Sequence, residues 1–184
     1  MSSAAEKLMS VDEYFTWAEG REGRWELHDG HPIAMSPERV LHAEAKGAVF
    51  LALTEAIARA GAPCRAVPDG ATVRIAAHTA FEPDALVYCG PRIAPEAVEI
   101  PNPVIVVEVL SQSTEGRDHR VKLKGYFSLP SVVHYLIVDA DSRTVIHHKR
   151  GQGDIIETRI LGEGMLRFDP PGIETPVGDL FPPP

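Results

Sequence analysis

The sequence is poor in cysteine, with only Cys64 and Cys89 among its 184 residues. Two cysteines are too few for the disulfide framework of a small secreted domain, so we expect them to be small buried side chains in a reducing cytoplasm. The sequence also lacks an uninterrupted run of about 18 apolar residues, and no apolar segment follows a basic one near Met1. These absences are evidence against membrane spanning and against export.

Positive charge is scarce as well. The 18 Lys and Arg residues are outnumbered by 26 Asp and Glu residues, which gives a formal net charge of −8. Only the stretch 111–150 contains more basic than acidic side chains. Such a surface is poorly suited to high-affinity, sequence-independent binding of nucleic acid, although it is compatible with a locally positive cleft.

The hydrophobic content of 44% indicates a globular chain with one sizeable core. The sequence contains no internal repeat and no linker, so we predict a single domain over residues 1–184. Its core is expected at about 10–168. The proline-rich tail at 170–184 is expected to be extended and peripheral.

Local patterns predict two helices and a hairpin in the first third of the chain. Ser10-Val-Asp-Glu13 is a capping box, which predicts a short first helix. Asp29-Gly30 supplies the positive φ angles of a type I′ turn between two strands. From 38 to 60 apolar residues recur at every third or fourth position, and Gly61 ends this long predicted helix.

The rest of the chain contains seven predicted strands and one further helix. The strands are expected at 64–67, 72–75, 85–88, 104–110, 132–138, 144–149 and 155–161. Residues 114–128 have helical spacing, so they are predicted to form a crossover that lets 104–110 and 132–138 pair in parallel. These elements predict an α/β (α+β) domain in which helices flank a mixed central sheet.

Glu108 is the most informative residue, because it lies inside the apolar run Val104-Ile-Val-Val-Glu-Val-Leu110. A buried carboxylate is costly unless a cation, hydrogen bonds or a metal compensates it. Asp84 stands at the entrance of a predicted strand, and Glu26 lies within the hairpin. Carboxylates that meet on neighbouring strands favour a hard cation such as Mg²⁺, Mn²⁺ or Ca²⁺.

Lys122 lies on the predicted crossover helix, which begins just after the strand of Glu108. Its ammonium group is therefore expected over the end of that strand. A metal with a nearby lysine suits hydrolysis, because the cation polarises a phosphoryl oxygen and lowers the pKa of water. The lysine then stabilises developing negative charge or orients the nucleophile.

Several segments carry a resemblance to a known family. They are Trp25-Glu-Leu-His-Asp-Gly30, Met35-Ser-Pro37 with His42, Pro83-Asp84, Val107-Glu-Val-Leu-Ser111, Asp118 with Lys122 and Tyr126, and Tyr135-Leu-Ile-Val-Asp139. In this order and spacing, over about 10–181, they resemble the Uma-type endonuclease family of the PD-(D/E)XK restriction-endonuclease-like superfamily. The resemblance implies a restriction-endonuclease-like fold with an N-terminal helix and hairpin.

The resemblance also implies an endonuclease that hydrolyses phosphodiester bonds of DNA with metal-activated water, using Mg²⁺ or Mn²⁺. Glu26, Asp84, Glu108 and Lys122 would be its catalytic residues. The metal would be held by the three acids and by the backbone carbonyl of Val109. By the same resemblance, nucleic acid is the expected substrate and a homodimer is the expected assembly.

The sequence departs from the superfamily at Leu110, where a lysine is expected two residues after the glutamate. Lys122 is expected to replace that lysine, and Lys124 is the competing candidate. Because of Leu110 and the negative net charge, a catalytically inactive nucleic-acid-binding or assembly module is the first alternative function. A metal-dependent hydrolase of a small phosphorylated substrate is the second.

Each candidate residue also has a structural interpretation. Asp84 would then only end a strand after a proline, and Glu26 would belong to a solvated face of the hairpin. Lys122 would pair with Asp118 on the surface of its helix. Glu108 would form a buried structural ion pair, for which the candidate partners are Arg117, Arg120 and Lys122.

Overall fold

The structure is a computed structural model that describes residues 8–110 and 117–183. Three α-helices lie within these ranges: α1 (Val11–Ala18), α2 (Val40–Ala60) and α3 (Arg117–Ser128). The strands are β1 (Trp25–His28), β2 (His31–Ala34), β3 (Cys64–Pro68), β4 (Val73–Ala76), β5 (Thr79–Phe81), β6 (Ala85–Cys89), β7 (Ile105–Val109), β8 (His134–Asp139), β9 (Thr144–Arg150), β10 (Ile156–Leu161), β11 (Met165–Phe168) and β12 (Ile173–Pro176). A short 3₁₀ helix spans Val177–Leu180.

The central sheet has six strands in the order β10-β9-β8-β7-β6-β3. β7 and β8 pair in parallel, and the other neighbours in this sheet pair antiparallel. The crossover between the two parallel strands contains α3. The prediction of a mixed sheet with a helical crossover is therefore confirmed, although the predicted helix start at 114 and the segment 111–113 lie outside the described residues.

The two faces of the central sheet are covered by different helices. Ile105, Val107 and Val109 of β7 pack in one apolar cluster with the inner face of α2. Val106 of the same strand packs in a second cluster with Tyr126 of α3. Because side chains alternate along a strand, Glu108 shares the α3 face with Val106.

Local signals in the first part of the chain fold as predicted. Ser10 and Glu13 form the capping box of α1. The turn between β1 and β2 has positive φ angles of 48° at Asp29 and 83° at Gly30. Gly61 ends α2 in the left-handed conformation, with φ of 61°.

The hairpin belongs to a second sheet with the strand order β2-β1-β5-β4. β1 pairs antiparallel with β5 through Leu27 and Ala80. The chain leaves β5 and enters β6 of the central sheet after only three residues, 82–84. This short connection places Glu26 of β1 close to the start of β6.

The expectation that the proline-rich tail is peripheral was wrong, although the tail contains an extended strand, β12. β12 pairs with β11, and Ile173, Val177, Leu180 and Phe181 are buried in the cluster that contains α2. The prolines interrupt regular structure, but the apolar residues between them have the spacing needed to close one side of this core. The tail is therefore an integral layer of the fold.

The expectation for the cysteines was also wrong. Cys64 of β3 lies directly opposite Cys89 of β6, and a disulfide joins them. The antiparallel register brings together two residues that are 25 positions apart in the chain. That register was not visible in the sequence. Among the described residues, no helix is both long and apolar enough to cross a membrane.

Candidate active site

The four residues predicted to carry chemistry are all buried, although they come from four different places in the chain. Glu26 lies on β1, Asp84 directly before β6, Glu108 on β7 and Lys122 on α3. Their exposed fractions are 4% to 7%. Burial of this many charges requires that they compensate one another.

Lys122 connects two of the three acids. Its Nζ lies 3.0 Å from Oε1 of Glu26 and 3.0 Å from Oε2 of Glu108. The second oxygen of Glu108 accepts a hydrogen bond of 2.7 Å from the hydroxyl of Tyr126, one helical turn after Lys122. The spacing of four residues places the lysine and the tyrosine on the same face of α3, above Glu108.

Glu26 is held from the opposite side. Its Oε1 accepts a hydrogen bond of 2.8 Å from the backbone N–H of Glu82, and its Oε2 lies 2.9 Å from Nε2 of His28. Burial raises the pKa of Glu26, but the hydrogen bond to His28 and the charge of Lys122 outweigh it and lower the pKa overall. Glu26 is therefore held as a carboxylate.

Glu108 has the opposite balance. Its pKa is raised to about 8: burial is the largest cause, Lys122 opposes it, and the nearby charges of Asp84 and Glu26 add to it. One ammonium group does not compensate the surrounding carboxylates. At neutral pH Glu108 is therefore largely protonated, and a bound cation would favour its charged form.

Asp84 adjoins this group from the start of β6. The register of β6 and β7 pairs Ala85 with Val107, so Asp84 lies next to Glu108 on the same edge. Oδ2 of Asp84 accepts a hydrogen bond of 2.6 Å from the backbone N–H of Val109. Its Oδ1 lies 2.7 Å from Nζ of Lys46.

Lys46 is a buried cation that the sequence analysis missed. Besides Asp84, its Nζ contacts a carboxylate oxygen of Glu38 and lies 3.1 Å from Oδ2 of Asp69. Burial lowers the pKa of Lys46, but Asp84 and its other acidic partners raise it overall, so the group is firmly charged. Glu38, His42 and Lys46 are spaced by four residues, and this spacing was the signal in the sequence that could have identified them.

The densest acidic cluster differs from the predicted one. Among the described residues, Glu38, Asp69 and Asp84 have carboxylate oxygens that all lie within 4.8 Å of one another. The predicted set of Glu26, Asp84 and Glu108 is not as compact. Asp84 thus belongs to two groups of charges. One contains Glu38, Lys46 and Asp69, and the other contains Glu108.

Arg24 is a second cation that the sequence analysis missed. Its guanidinium lies 2.5 Å from Oε1 of Glu82, 2.8 Å from Oδ2 of Asp69 and 3.3 Å from Oε1 of Glu38. The arginine is half-buried, and it neutralises acids that surround Lys46. Arg24 directly precedes β1, so the hairpin region supplies both a carboxylate, Glu26, and a cation, Arg24.

The backbone carbonyl of Val109, expected to be a metal ligand, has a protein partner. Nε2 of His42 lies 2.8 Å from this oxygen and donates to it, since a carbonyl can only accept. His42 also approaches Oδ2 of Asp84 at 3.8 Å. The histidine of α2 therefore lies beside two of the expected ligands.

The donors fit a hard divalent cation. The side chains of Glu26, Asp84 and Glu108 and the carbonyl of Val109 offer oxygen atoms, which Mg²⁺ and Mn²⁺ prefer, and sulfur is absent from the group. The pKa of Glu108 is raised mainly by burial and further by the charges of Asp84 and Glu26, and a bound cation would oppose all three effects. Lysine ammonium groups contact all three acids at present.

The geometry differs from most of the purely structural interpretations. The ion pair of Glu108 with Lys122 exists, and it accompanies the predicted cluster instead of replacing it. Arg120 and Lys124 are exposed, whereas Lys122 is buried. The side chains of Arg117 and Asp118 lie outside the described residues. Glu26 is buried and does not lie on a solvated face.

Comparisons with known proteins point to one family. Residues 11–176 match the sequence profile of the Uma2 family, described as "Putative restriction endonuclease". The chain is 30% identical over 181 residues to an uncharacterized protein, slr1290, of Synechocystis sp., covering 97% of this chain and 94% of that protein. The crystal structure of a "putative nuclease belonging to DUF820" from Anabaena variabilis superposes with a TM-score of 0.70 at 18% identity, covering 94% of this chain and 97% of that one. This similarity confirms the predicted fold class.

Proposed function

The chain belongs to the Uma2 family, and from this membership we propose that it is a metal-dependent endonuclease that hydrolyses phosphodiester bonds of DNA. Glu26, Asp84, Glu108 and Lys122 are its proposed catalytic residues. The three acids and the carbonyl of Val109 are the proposed ligands of Mg²⁺ or Mn²⁺. We also propose that it acts as a homodimer.

One observation carries the proposal. Three carboxylates and a lysine, supplied by β1, the start of β6, β7 and α3, are buried next to one another at one end of the central sheet. If these four residues served stability alone, well-packed apolar residues at the same positions would stabilise the fold as well or better. The cost of burying these charges is understandable if the group binds a cation and a phosphate.

When bound, Mg²⁺ or Mn²⁺ would polarise a phosphoryl oxygen and lower the pKa of a water molecule. Asp84 and the carbonyl of Val109 would hold the ion with lone pairs that their contacts to Lys46 and His42 leave open, since a carboxylate has about four lone pairs and a carbonyl oxygen has two. Lys46 and His42 both extend from α2, so this helix would orient the two ligands.

Lys122 has a different part in the proposed reaction. Its flexible chain keeps the ammonium group at the carboxylates of Glu26 and Glu108, within reach of a phosphate that binds there. In the transition state of phosphoryl transfer, negative charge is spread over the non-bridging oxygens, and a lysine at this place stabilises that charge. Tyr126 fixes Glu108 through its hydroxyl and so positions the carboxylate.

Cleavage assays test this proposal. Supercoiled plasmid, single-stranded DNA, RNA and nucleoside monophosphates would be incubated with the protein in Mn²⁺, in Mg²⁺ and in EDTA. We expect DNA to be cut only with metal, and the variants Asp84→Asn and Glu108→Gln to lose activity by about two orders of magnitude or more. Glu163→Gln is the matched control, because Glu163 is an exposed acid.

The same panel distinguishes the alternatives. An inactive nucleic-acid-binding or assembly module is favoured by Leu110, which packs at the edge of the α3 cluster where the superfamily has a lysine. It predicts retention of DNA without turnover in any metal. A hydrolase of small phosphorylated substrates predicts turnover of the nucleotides alone. Cleavage that persists in both Asp84→Asn and Glu108→Gln would contradict all assignments made to this site.

A further inference from the structure

β10 forms one edge of the central sheet. Within residues 8–110 and 117–183 it pairs with β9 on one side, and no described strand pairs with its other side. Five of its six residues are exposed. Two of these are apolar, since Ile156 is 39% exposed and Ile160 is 73% exposed. A free edge with exposed isoleucines is a template for pairing with another strand.

The sequence of this edge is chemically symmetrical. Residues 155–161 are Ile-Ile-Glu-Thr-Arg-Ile-Leu, so that two apolar residues, an acid, Thr158, a base and two apolar residues follow one another. Edge strands that avoid association usually carry charges that repel a second copy. Here the two charges have opposite signs and lie at equal distances on either side of Thr158.

Antiparallel pairing of two such strands about Thr158 joins complementary partners at every position. Glu157 of each copy would face Arg159 of the other, and Ile156 would face Ile160. Directly opposed residues point to the same face of a sheet. The two ion pairs therefore lie on one face and the four isoleucines on the other.

The position of Thr158 is already fixed by its own sheet. Its hydroxyl lies 2.8 Å from Nδ1 of His148 on β9, which assigns Thr158 to one face together with Ile156 and Ile160. Glu157 and Arg159 lie on the other face, opposite Lys149 and His147 of β9. A parallel arrangement or a shift of the register by one residue would place like residues or apolar and charged residues opposite each other.

We infer that β10 is the dimerisation strand of this protein, and that its partner is β10 of a second copy, related by a two-fold axis through Thr158. The central sheets of the two copies then form one continuous sheet of twelve strands. In each copy the proposed endonuclease site lies at β6 and β7, which are separated from β10 by β8 and β9. The site is therefore away from the interface. This inference rests on the homodimer proposed above, but it does not depend on the proposed activity.

Charge reversal tests the pairing directly. In Glu157→Arg, the introduced base of each copy would oppose Arg159 of the other copy, and in Arg159→Glu each introduced acid would oppose Glu157. We expect either variant to be monomeric at concentrations where the parent chain of 20.0 kDa sediments as a dimer, with a dissociation constant raised about tenfold or more. Glu163→Arg, an exposed charge reversal outside β10, should leave the dimer unchanged.

Mixing the two variants gives the decisive measurement. A copy with Glu157→Arg has bases at positions 157 and 159, and a copy with Arg159→Glu has acids at both positions. In a mixture each base faces an acid, so the two variants should form a heterodimer although neither dimerises alone. Sedimentation velocity with one variant carrying a mass tag detects this species. The double variant Glu157→Arg/Arg159→Glu should dimerise like the parent.

Two results would overturn the inference. One is a monomeric parent chain over the full dilution series. The other is a dimer that neither single reversal weakens, since this would show that another surface holds the copies together. Circular dichroism of each variant excludes loss of the fold as the reason for dissociation.

Discussion

At the scale of single residues, Lys122 is the group on which the balance of charge depends. It is buried and lies 3.0 Å from both Glu26 and Glu108. Lys124 is a lysine of the same helix that is exposed. The pair offers a matched comparison, because the same substitution removes a buried charge at one position and a solvated charge at the other.

We predict that Lys122→Met lowers the free energy of unfolding by about 3–5 kcal/mol in buffer with EDTA, because it leaves the buried carboxylate of Glu26 without its cation. Lys124→Met should change it by less than about 0.5 kcal/mol. Urea denaturation followed by circular dichroism measures both values.

Metal gives this comparison a second readout. If the acids bind Mn²⁺, saturating Mn²⁺ should restore more stability to Lys122→Met than it adds to the parent protein, since the ion then replaces the missing charge. Equal stabilisation of both proteins, or a large loss in Lys124→Met, would contradict the assignment of Lys122.

The site was partly predictable from single residues. Glu108 stood out because a charge interrupts an apolar run, and Lys122 followed from the helix after it. Lys46 did not stand out, because its main partner Asp84 lies far along the chain and the contact depends on how α2 crosses the sheet. The four-residue spacing of Glu38, His42 and Lys46 marks a common face, but the contact of Lys46 with Asp84 arises from tertiary packing and has no local pattern.

At the scale of elements, β8 and β9 enclose a buried histidine pair. Nε2 of His134 donates to the carbonyl of Pro170 at 2.9 Å, so its Nδ1 is the acceptor for Nε2 of His147, also at 2.9 Å. This arrangement of donors and acceptors is that of two neutral rings. Burial is the main reason that the pKa is lowered to about 3 for His134 and to about 4 for His147.

The charged groups around this pair act in the same direction. Lys149 on β9 lowers the pKa of both histidines, and Arg159 on β10 lowers that of His147. The carbonyl of Pro170 opposes them at His134, but it does not outweigh burial. The folded protein thus binds protons at this pair only in strongly acidic solution.

We predict that stability falls as the pH is lowered from about 6.5 toward 4. In this window the unfolded chain takes up a proton on each histidine and the folded chain does not, so each histidine decreases the free energy of unfolding by about 1.4 kcal/mol per pH unit. Glu108, with its raised pKa of about 8, is already protonated in the folded chain and offsets the contribution of one histidine. Below the pKa values of the folded state, both states are protonated and this contribution stops changing.

Urea denaturation at a series of pH values measures this slope. His147→Gln keeps a donor toward His134 but removes one titrating group, so its slope between pH 6.5 and 4 should be smaller. His31→Gln, at an exposed position of the hairpin, is the control and should keep the slope of the parent. An unchanged slope in His147→Gln would contradict the neutral pair.

Elements with strong periodic signals were predictable, and short ones were not. The long amphipathic helix, the crossover helix and the apolar strands of the central sheet agree with the sequence patterns. β5, with three residues, and β11 and β12, with four each, were missed. Such short strands contain too few residues for an alternating pattern, and their pairing is fixed by the surrounding core.

At the scale of the whole molecule, the tail completes the larger of the two cores that flank the central sheet. Leu180 is fully buried against the layer that contains α2, whereas its neighbour Asp179 is exposed. Each face of the central sheet is covered by a helix, α2 on one face and α3 on the other. On the α2 face, the hairpin β11–β12 and the 3₁₀ helix cover the part of the sheet that α2 does not cover.

We predict that Leu180→Ala lowers the free energy of unfolding by about 2–5 kcal/mol, as expected for a cavity in a packed core. Asp179→Ala should stay within about 0.5 kcal/mol of the parent. Because ordinary stability is only about 5–15 kcal/mol, the first substitution should also lower the midpoint of thermal unfolding markedly. Equal midpoints for the two variants would mean that the tail is a peripheral segment, as its prolines alone suggest, and that the core closes without it.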